Sequence, residues 1–210
     1  MAITTQAAST TEAAVQVSVE EYMERYAEHH YEWVKGVAIK MSPISLRHAL
    51  LVDYLRDVLH AYFALNPIGR VLGEPFVMVL EKTDSRREPD IQVILNTNPG
   101  QLADTAMIGP ADICIEVVSP ESGSRDYGDK FIEYEQAGVR EYWIIDPVRE
   151  TCLFYRLQPT AHYAPVQPDE QGIYQTPLLP RLVIEVPVFW REKLPDVVAV
   201  VETVQAMVKA

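Results

Sequence analysis

Cysteine is nearly missing from this chain: Cys114 and Cys152 are the only two. Their scarcity excludes a disulfide framework and a cysteine-rich zinc centre, and both thiols are expected to be buried and free. Basic residues are also few, 18 against 30 acidic ones, for a formal charge of −12. That balance opposes unspecific attraction to nucleic acid or to an anionic membrane. No apolar run is long enough to cross a bilayer. The leader "MAITTQAASTTEAAVQ" lacks the basic start and apolar core of a secretory signal, so a cytoplasmic protein is expected. The leader has no packing period either, which predicts an unstructured segment at 1–16 followed by a single domain at 17–210. What is present, 48% hydrophobic and 23% charged residues over 210 positions, suffices for one full core.

Ser18 followed by Glu21 in "SVEEYMERYAEHH" is a capping-box spacing and predicts a short helix. "YEWVKGVAIKM" predicts two short strands turning at Lys35 and Gly36. After Pro43, Leu46, Leu50, Tyr54, Leu55, Val58, Leu59 and Tyr62 fall on one face of a long helix. "VLGEPFVMVLE", "PDIQVIL", "ADICIEVVS", "REYWIIDP" and "TCLFYRL" read as strands, and "SRDYGDKFIEYEQAG" as a helix closed by Gly138. The proline-rich stretch after Arg156 suggests a hairpin with a long loop, and the tail predicts a helix from about Pro195 that packs on the subunit or on a second copy. The order of elements predicts a mixed α/β sheet flanked by helices.

One carboxylate is out of place. Glu116 sits among Ile113, Cys114, Ile115, Val117 and Val118, a run too apolar to face water on either side. A buried carboxylate is costly unless a cation or a set of donors compensates it. Asp90 opens the strand "PDIQVIL" after Pro89, and the loop between the two strands lets them lie side by side. Two carboxylates brought together at one end repel in a low dielectric, so the pair shares a proton or binds a cation, and oxygen-only donors favour Mg2+ or Mn2+. Asp126 and Lys130 share one face of the helix that follows, from which Lys130 can reach back to the acids. In phosphodiester hydrolysis such a lysine orients the attacking water and opposes charge growing on phosphorus.

"YEWVKG", Ser45 and His48 at the long helix, "EPDIQVIL", "IEVVSPES" and "RDYGDKFIEYEQAGVREYWIIDP" occur in an order that resembles the Uma-type restriction endonucleases, a branch of the PD-(D/E)XK nuclease superfamily. The resemblance spans roughly residues 31–190 and implies a restriction-endonuclease-like core that cleaves DNA with a divalent metal. It implies Asp90 and Glu116 as metal ligands, with the Val117 carbonyl as a third. The superfamily lysine two residues after the glutamate is replaced here by Val118; by matching position Lys130 takes its place. Glu32 matches an amino-terminal acid that approaches the same site, and Asp126 joins the catalytic set.

Two cuts, one in each strand, are most simply made by two active sites, so DNA as partner and a homodimer are expected. Lys35, Lys40, Arg47, Arg86, Arg87, Arg125 and Lys130 lie in segments flanking the site and would form a locally basic groove on an acidic body. The competing readings are an inactive module that keeps the nuclease fold for binding or regulation, and a hydrolase of RNA or a smaller phosphodiester. Among the remaining polar residues, His48 reads equally as a packed imidazole, and His29 and His30 as surface residues. Tyr142 and Trp143 alternate on a strand with one of them in the core, Asp146 ends that strand in a turn, and Ser119 lacks the partners of a serine hydrolase.

Overall fold

The computed structural model describes residues 14–120 and 122–209. The chain opens with strand β1 (Ala14–Gln16) and helix α1 (Val19–Arg25). Ser18 Oγ accepts the Glu21 amide at 3.2 Å, as the capping spacing predicts. The hairpin of β2 (Tyr31–Val34) and β3 (Val37–Lys40) turns at Lys35 and Gly36, whose φ angles of 47° and 88° put both in the left-handed region, as in the two-residue turns whose geometry matches the right-handed twist of paired strands. The expected unstructured leader is corrected at its end, because Ala14–Gln16 pairs antiparallel with β3. Its side chains are exposed, so backbone pairing on a sheet edge holds it, a signal that periodicity of side chains does not carry. The rest of that leader, 1–13, lies outside the described residues.

Helix α2 (Leu46–Leu65) follows, then β4 (Gly69–Gly73), β5 (Val77–Leu80), β6 (Ser85–Arg87), β7 (Ile91–Leu95), β8 (Gln101–Leu102), β9 (Ala106–Ile108) and β10 (Ile113–Val117). A π-helical turn (Arg125–Asp129) leads into α3 (Lys130–Ala137), and the chain continues with β11 (Glu141–Asp146), β12 (Thr151–Leu157), β13 (Tyr163–Val166), β14 (Ile173–Gln175), β15 (Val183–Glu185) and α4 (Val197–Lys209). The segment "VLGEPFVMVLE" is therefore two strands in different sheets. It breaks at Glu74–Pro75, where proline cannot donate to a ladder.

Six strands form a mixed sheet in the order β13-β12-β11-β10-β7-β4, in which β10 and β11 run parallel and the other pairs antiparallel. Seven form a second sheet, β1-β3-β2-β6-β5-β9-β8, and β14 pairs with β15 separately. One face of the six-stranded sheet, with Ile91, Val93, Ile113, Ile115, Val117, Trp143 and Ile145, packs against α2 and α4. The other, with Cys114, Val118, Tyr142 and Ile144, packs against α3 and residues of β5 and β9. A third cluster joins α1 to the seven-stranded sheet through Tyr22, Trp33 and Ala38. Among the described residues no helix is long and apolar enough to cross a membrane.

Two sequence expectations shift for one reason, coverage of central elements on more than one side. The buried stripe of α2 runs through Leu51, Leu55, Val58, Leu59 and Tyr62, whereas Leu46 and Leu50 are exposed at its first turns. Tyr142 and Trp143 do alternate on β11, yet both are fully buried, Tyr142 beneath α3 and Trp143 beneath the α2 and α4 layer.

Candidate active site

Strands β7 and β10 lie side by side, with Ile91 opposite Ile115, so Asp90 and Glu116 meet at the same end of the sheet. Both line one cleft of about 1030 Å³, together with Val117, Lys130, Asp126, His48 and Glu74. Alternation along β10 sends Ile115 and Val117 to the α2 side and leaves Cys114 and Glu116 beneath α3, where Glu116 is almost wholly shielded from solvent.

Lys130, the first residue of α3, is 1% exposed. Its Nζ lies 3.0 Å from Glu116 Oε1, 3.2 Å from Glu32 Oε1 and 3.6 Å from Asp126 Oδ1. The π-helical turn sets this register: the Lys130 amide bonds the Arg125 carbonyl, and the carbonyl of Asp126 accepts the Tyr142 hydroxyl at 2.9 Å. Such turns insert one extra residue into a helix and recur at functional sites. Tyr134, one helical turn after Lys130, donates its hydroxyl to Glu116 Oε1 at 2.8 Å. Ser122 donates to Asp126 Oδ2 at 2.5 Å.

Asp90 Oδ2 accepts the Val117 amide at 2.6 Å, which ties the aspartate directly to the strand that carries Glu116. Its other oxygen faces His48 Nε2 at 3.2 Å. His48 is positioned by Ser45, which caps α2 by accepting the His48 amide at 3.1 Å. Glu32 is anchored from behind. Arg87 donates to Glu32 Oε2 at 2.7 Å and grips Glu133 through two further bonds of 2.8 and 2.9 Å, and the Glu88 amide donates to Glu32 Oε1 at 3.2 Å.

The acids outnumber the cations here. Burial, then the neighbouring Asp90, Asp126 and Glu32, drive the Glu116 carboxyl well above its usual range despite Lys130. Burial also raises Asp126, and raises Glu74 to about 7 with help from Asp90. Burial and Glu32 raise Glu88 to about 9, and its Oε2 has no hydrogen-bond partner among the described residues. Glu32 goes the other way: burial disfavours its charge, but Lys130 and Arg87 more than offset this and hold it at about 2. Burial likewise works against the charge on Lys130, and Glu116, Glu32 and Asp126 overcome it, so the ammonium stays protonated. For His48, burial lowers the pKa and the bond and charge of Asp90 raise it further in the opposite direction.

Every residue singled out from the sequence can now be located. Asp90, Glu116, Val117, Lys130 and Asp126 line the cleft, and Glu32 lies behind Lys130. His29 and His30 are exposed on the cleft's rim. The basic set is corrected: of its seven members only Lys40, Arg125 and Lys130 line the cleft. Arg87 is buried between Glu32 and Glu133, Arg47 donates to the Phe189 and Arg191 carbonyls, Arg86 stacks on Trp33 and Lys35 lines a separate groove. Pairing with local acids, carbonyls and rings removes those cations from a shared surface. Glu74, Glu88 and Tyr134 escaped the sequence reading, and Arg87, expected in the basic groove, instead anchors Glu32. Tyr134 had a signal, one turn from Lys130 on the same helical face; Glu74 and the anchoring role of Arg87 had none short of the fold.

Among the described residues no group of three or more His, Cys, Asp or Glu side chains is arranged to hold a metal ion. The available donors for one are the Asp90 and Glu116 carboxylates and the Val117 carbonyl, all oxygen, beside acids whose charge is undercompensated and beside Asp126 Oδ1, which has no hydrogen-bond partner among the described residues. Such a set fits a hard cation that keeps several waters and takes only one or two carboxylates.

The Uma2 family model, described as "Putative restriction endonuclease", matches residues 19–187. A solved structure titled as that of a putative nuclease from Anabaena variabilis ATCC 29413 is similar in fold, with a TM-score of 0.69 and 19% sequence identity over 83% of this chain and 97% of that one. No curated protein matches the chain significantly.

Proposed function

Because the chain belongs to the Uma2 family, described as "Putative restriction endonuclease", we propose that it is a metal-dependent endonuclease that hydrolyses DNA phosphodiester bonds in the cleft. The observation that carries this reading is the Lys130 ammonium held 3.0 Å from Glu116 on the wall of the cleft that Asp90 also lines. Asp90, Glu116 and the Val117 carbonyl would hold Mg2+ or Mn2+. When bound, that ion supplies Lewis acidity and lowers the pKa of its water.

The chain's own residues do the rest. Lys130 directs a water at phosphorus and opposes the charge that grows on the phosphate oxygens. Glu32 and Asp126 keep the ammonium protonated and aimed into the cleft, while Arg87 fixes Glu32. Tyr134 orients the Glu116 carboxyl, and His48 with the Val117 amide orients Asp90. Two copies would supply one centre for each strand.

The test is cleavage of single-stranded, supercoiled and linear duplex DNA with Mg2+ or Mn2+, comparing the protein with Asp90→Asn, Glu116→Gln and Lys130→Met. Each variant is expected to lose at least about a hundredfold in rate, the scale of removing one transition-state contact, while thermal melting confirms a folded chain. Cutting that persists in Glu116→Gln at the original rate would place the chemistry elsewhere.

A further inference from the structure

The cleft's rim carries a feature that the catalytic set leaves unused. Tyr26 follows α1 and Tyr31 opens β2, and their rings pack edge to face, 5.1 Å apart at 73°. Each has a cation against it: Arg25 lies 6.0 Å from the Tyr26 centroid, and Lys40, directly across the hairpin from Tyr31, lies 5.8 Å from that ring. Arg25 is engaged by Glu21 at 2.8 Å, but Lys40 forms no ion pair among the described residues. His29 and His30 line the same rim, which also carries one acid, Glu28, and apolar Met41 and Ile44. Both rings are half-buried, packed on the cluster that joins α1 to the seven-stranded sheet, and both line the cleft.

Rigid aromatic faces with cations beside them are the means by which proteins hold unpaired bases, since every base has a face to stack and a phosphate for the ammonium. The charge favours the same substrate, because duplex recognition calls on an extended and strongly positive surface. This body carries −12, and among the described residues only Lys40, Arg25, Arg125 and Lys130 bring a lysine or arginine to the cleft. Glu116 and Lys130 are 3% and 1% exposed, so the phosphate must fold inward past the rim, which an unpaired strand can do and a stiff duplex resists.

We propose that Tyr26 and Tyr31 are a stacking platform for unpaired bases, so that the strand to be cut enters as single-stranded DNA. This specifies the substrate of the same site and rests on the nuclease reading above.

Fluorescence anisotropy with the full chain in EDTA separates binding from cutting. The probes are a labelled oligothymidylate of about ten to fifteen nucleotides and a duplex of equal length. The single strand is expected to bind about tenfold more tightly than the duplex, Tyr31→Ala to lose about tenfold in single-strand affinity, and Tyr31→Phe to retain it. Tyr26→Ala gives a second reading, expected to weaken single-strand binding alone, and stands in if Tyr31→Ala does not fold. Preferred duplex binding, or single-strand affinity unchanged in a folded tyrosine-to-alanine variant, overturns the platform. Single-strand binding with the expected tyrosine dependence, but no cleavage when metal is added, keeps the platform and removes the nuclease reading. Duplex cleavage indifferent to Tyr31→Ala does the reverse.

Discussion

Asp146 shows how much one side chain at a strand end can organise. It accepts the Val148 and Arg149 amides at 2.9 Å each and the Tyr127 hydroxyl at 2.8 Å, closing the turn from β11 to β12 that the Asp-Pro pair predicts. Its enclosure alone would raise the carboxyl's pKa, but the Arg149 amide, Tyr127 and the Val148 amide more than offset this and hold it below its ordinary 3.8. A depressed carboxyl adds stability above its unfolded pKa, and the contribution disappears as the pH falls through the lower folded value. Asp146→Ala is therefore expected to cost about 2 kcal/mol at neutral pH. Urea melts of the two proteins should converge as the pH drops below 3.8; a gap that stays constant to lower pH would mean that packing, not charge, supplies the effect.

For the elements, the informative case is the π-helical turn ahead of α3. The sequence reads as a continuous helix from Ser124 to Gly138, and Gly138, with φ of 95°, does close it. What the pattern could not reveal is the extra residue in the first turns, because the carbonyl it frees is satisfied from another element, by Tyr142 on β11. That bond fixes where Lys130 stands relative to Glu116 on the neighbouring strand. Tyr142→Phe is expected to lower the cleavage rate by about tenfold or more through misplacement of the ammonium. The cost in stability should be only about 1 kcal/mol, the size of a single hydrogen bond. A rate that falls only as far as the folded fraction falls would reduce Tyr142 to a packing residue.

Across the whole molecule, Glu141 joins parts that the chain separates. Fully buried on β11, its Oε1 accepts from Arg156 at 2.9 Å and Thr176 at 2.6 Å, and its Oε2 from Trp143 at 3.0 Å and Tyr174 at 2.7 Å. Tyr174 belongs to β14, stacks on Phe154 of β12 with centroids 3.7 Å apart and meets Trp143 of β11 edge to face at 5.3 Å, and Arg156 donates to the Gln175 carbonyl, so the β14 and β15 hairpin is held to the six-stranded sheet around the Glu141 carboxylate. Glu141→Ala leaves four donors without an acceptor and is expected to cost about 3–5 kcal/mol, well beyond Asp146→Ala. Hydrogen exchange should show β14 and β15 opening ahead of the rest; uniform loosening of the chain would contradict a localised tie.

The sequence by itself determined the strands that alternate or run apolar, the capped start of α1, the Lys35 and Gly36 turn and the anomaly of Glu116, because each is written in neighbouring residues through periodicity, capping geometry or the cost of burying charge. It also brought Asp126 and Lys130 onto one helical face. Only the tertiary structure decided that Glu32 and Arg87 stand behind Lys130, that Glu74 joins the acids, that the expected basic groove is mostly consumed by private pairings, and that β1 adds to a sheet edge. Those outcomes depend on contacts between residues far apart in the chain and on which partner satisfies a charge or backbone group first. Local pattern carries no record of either.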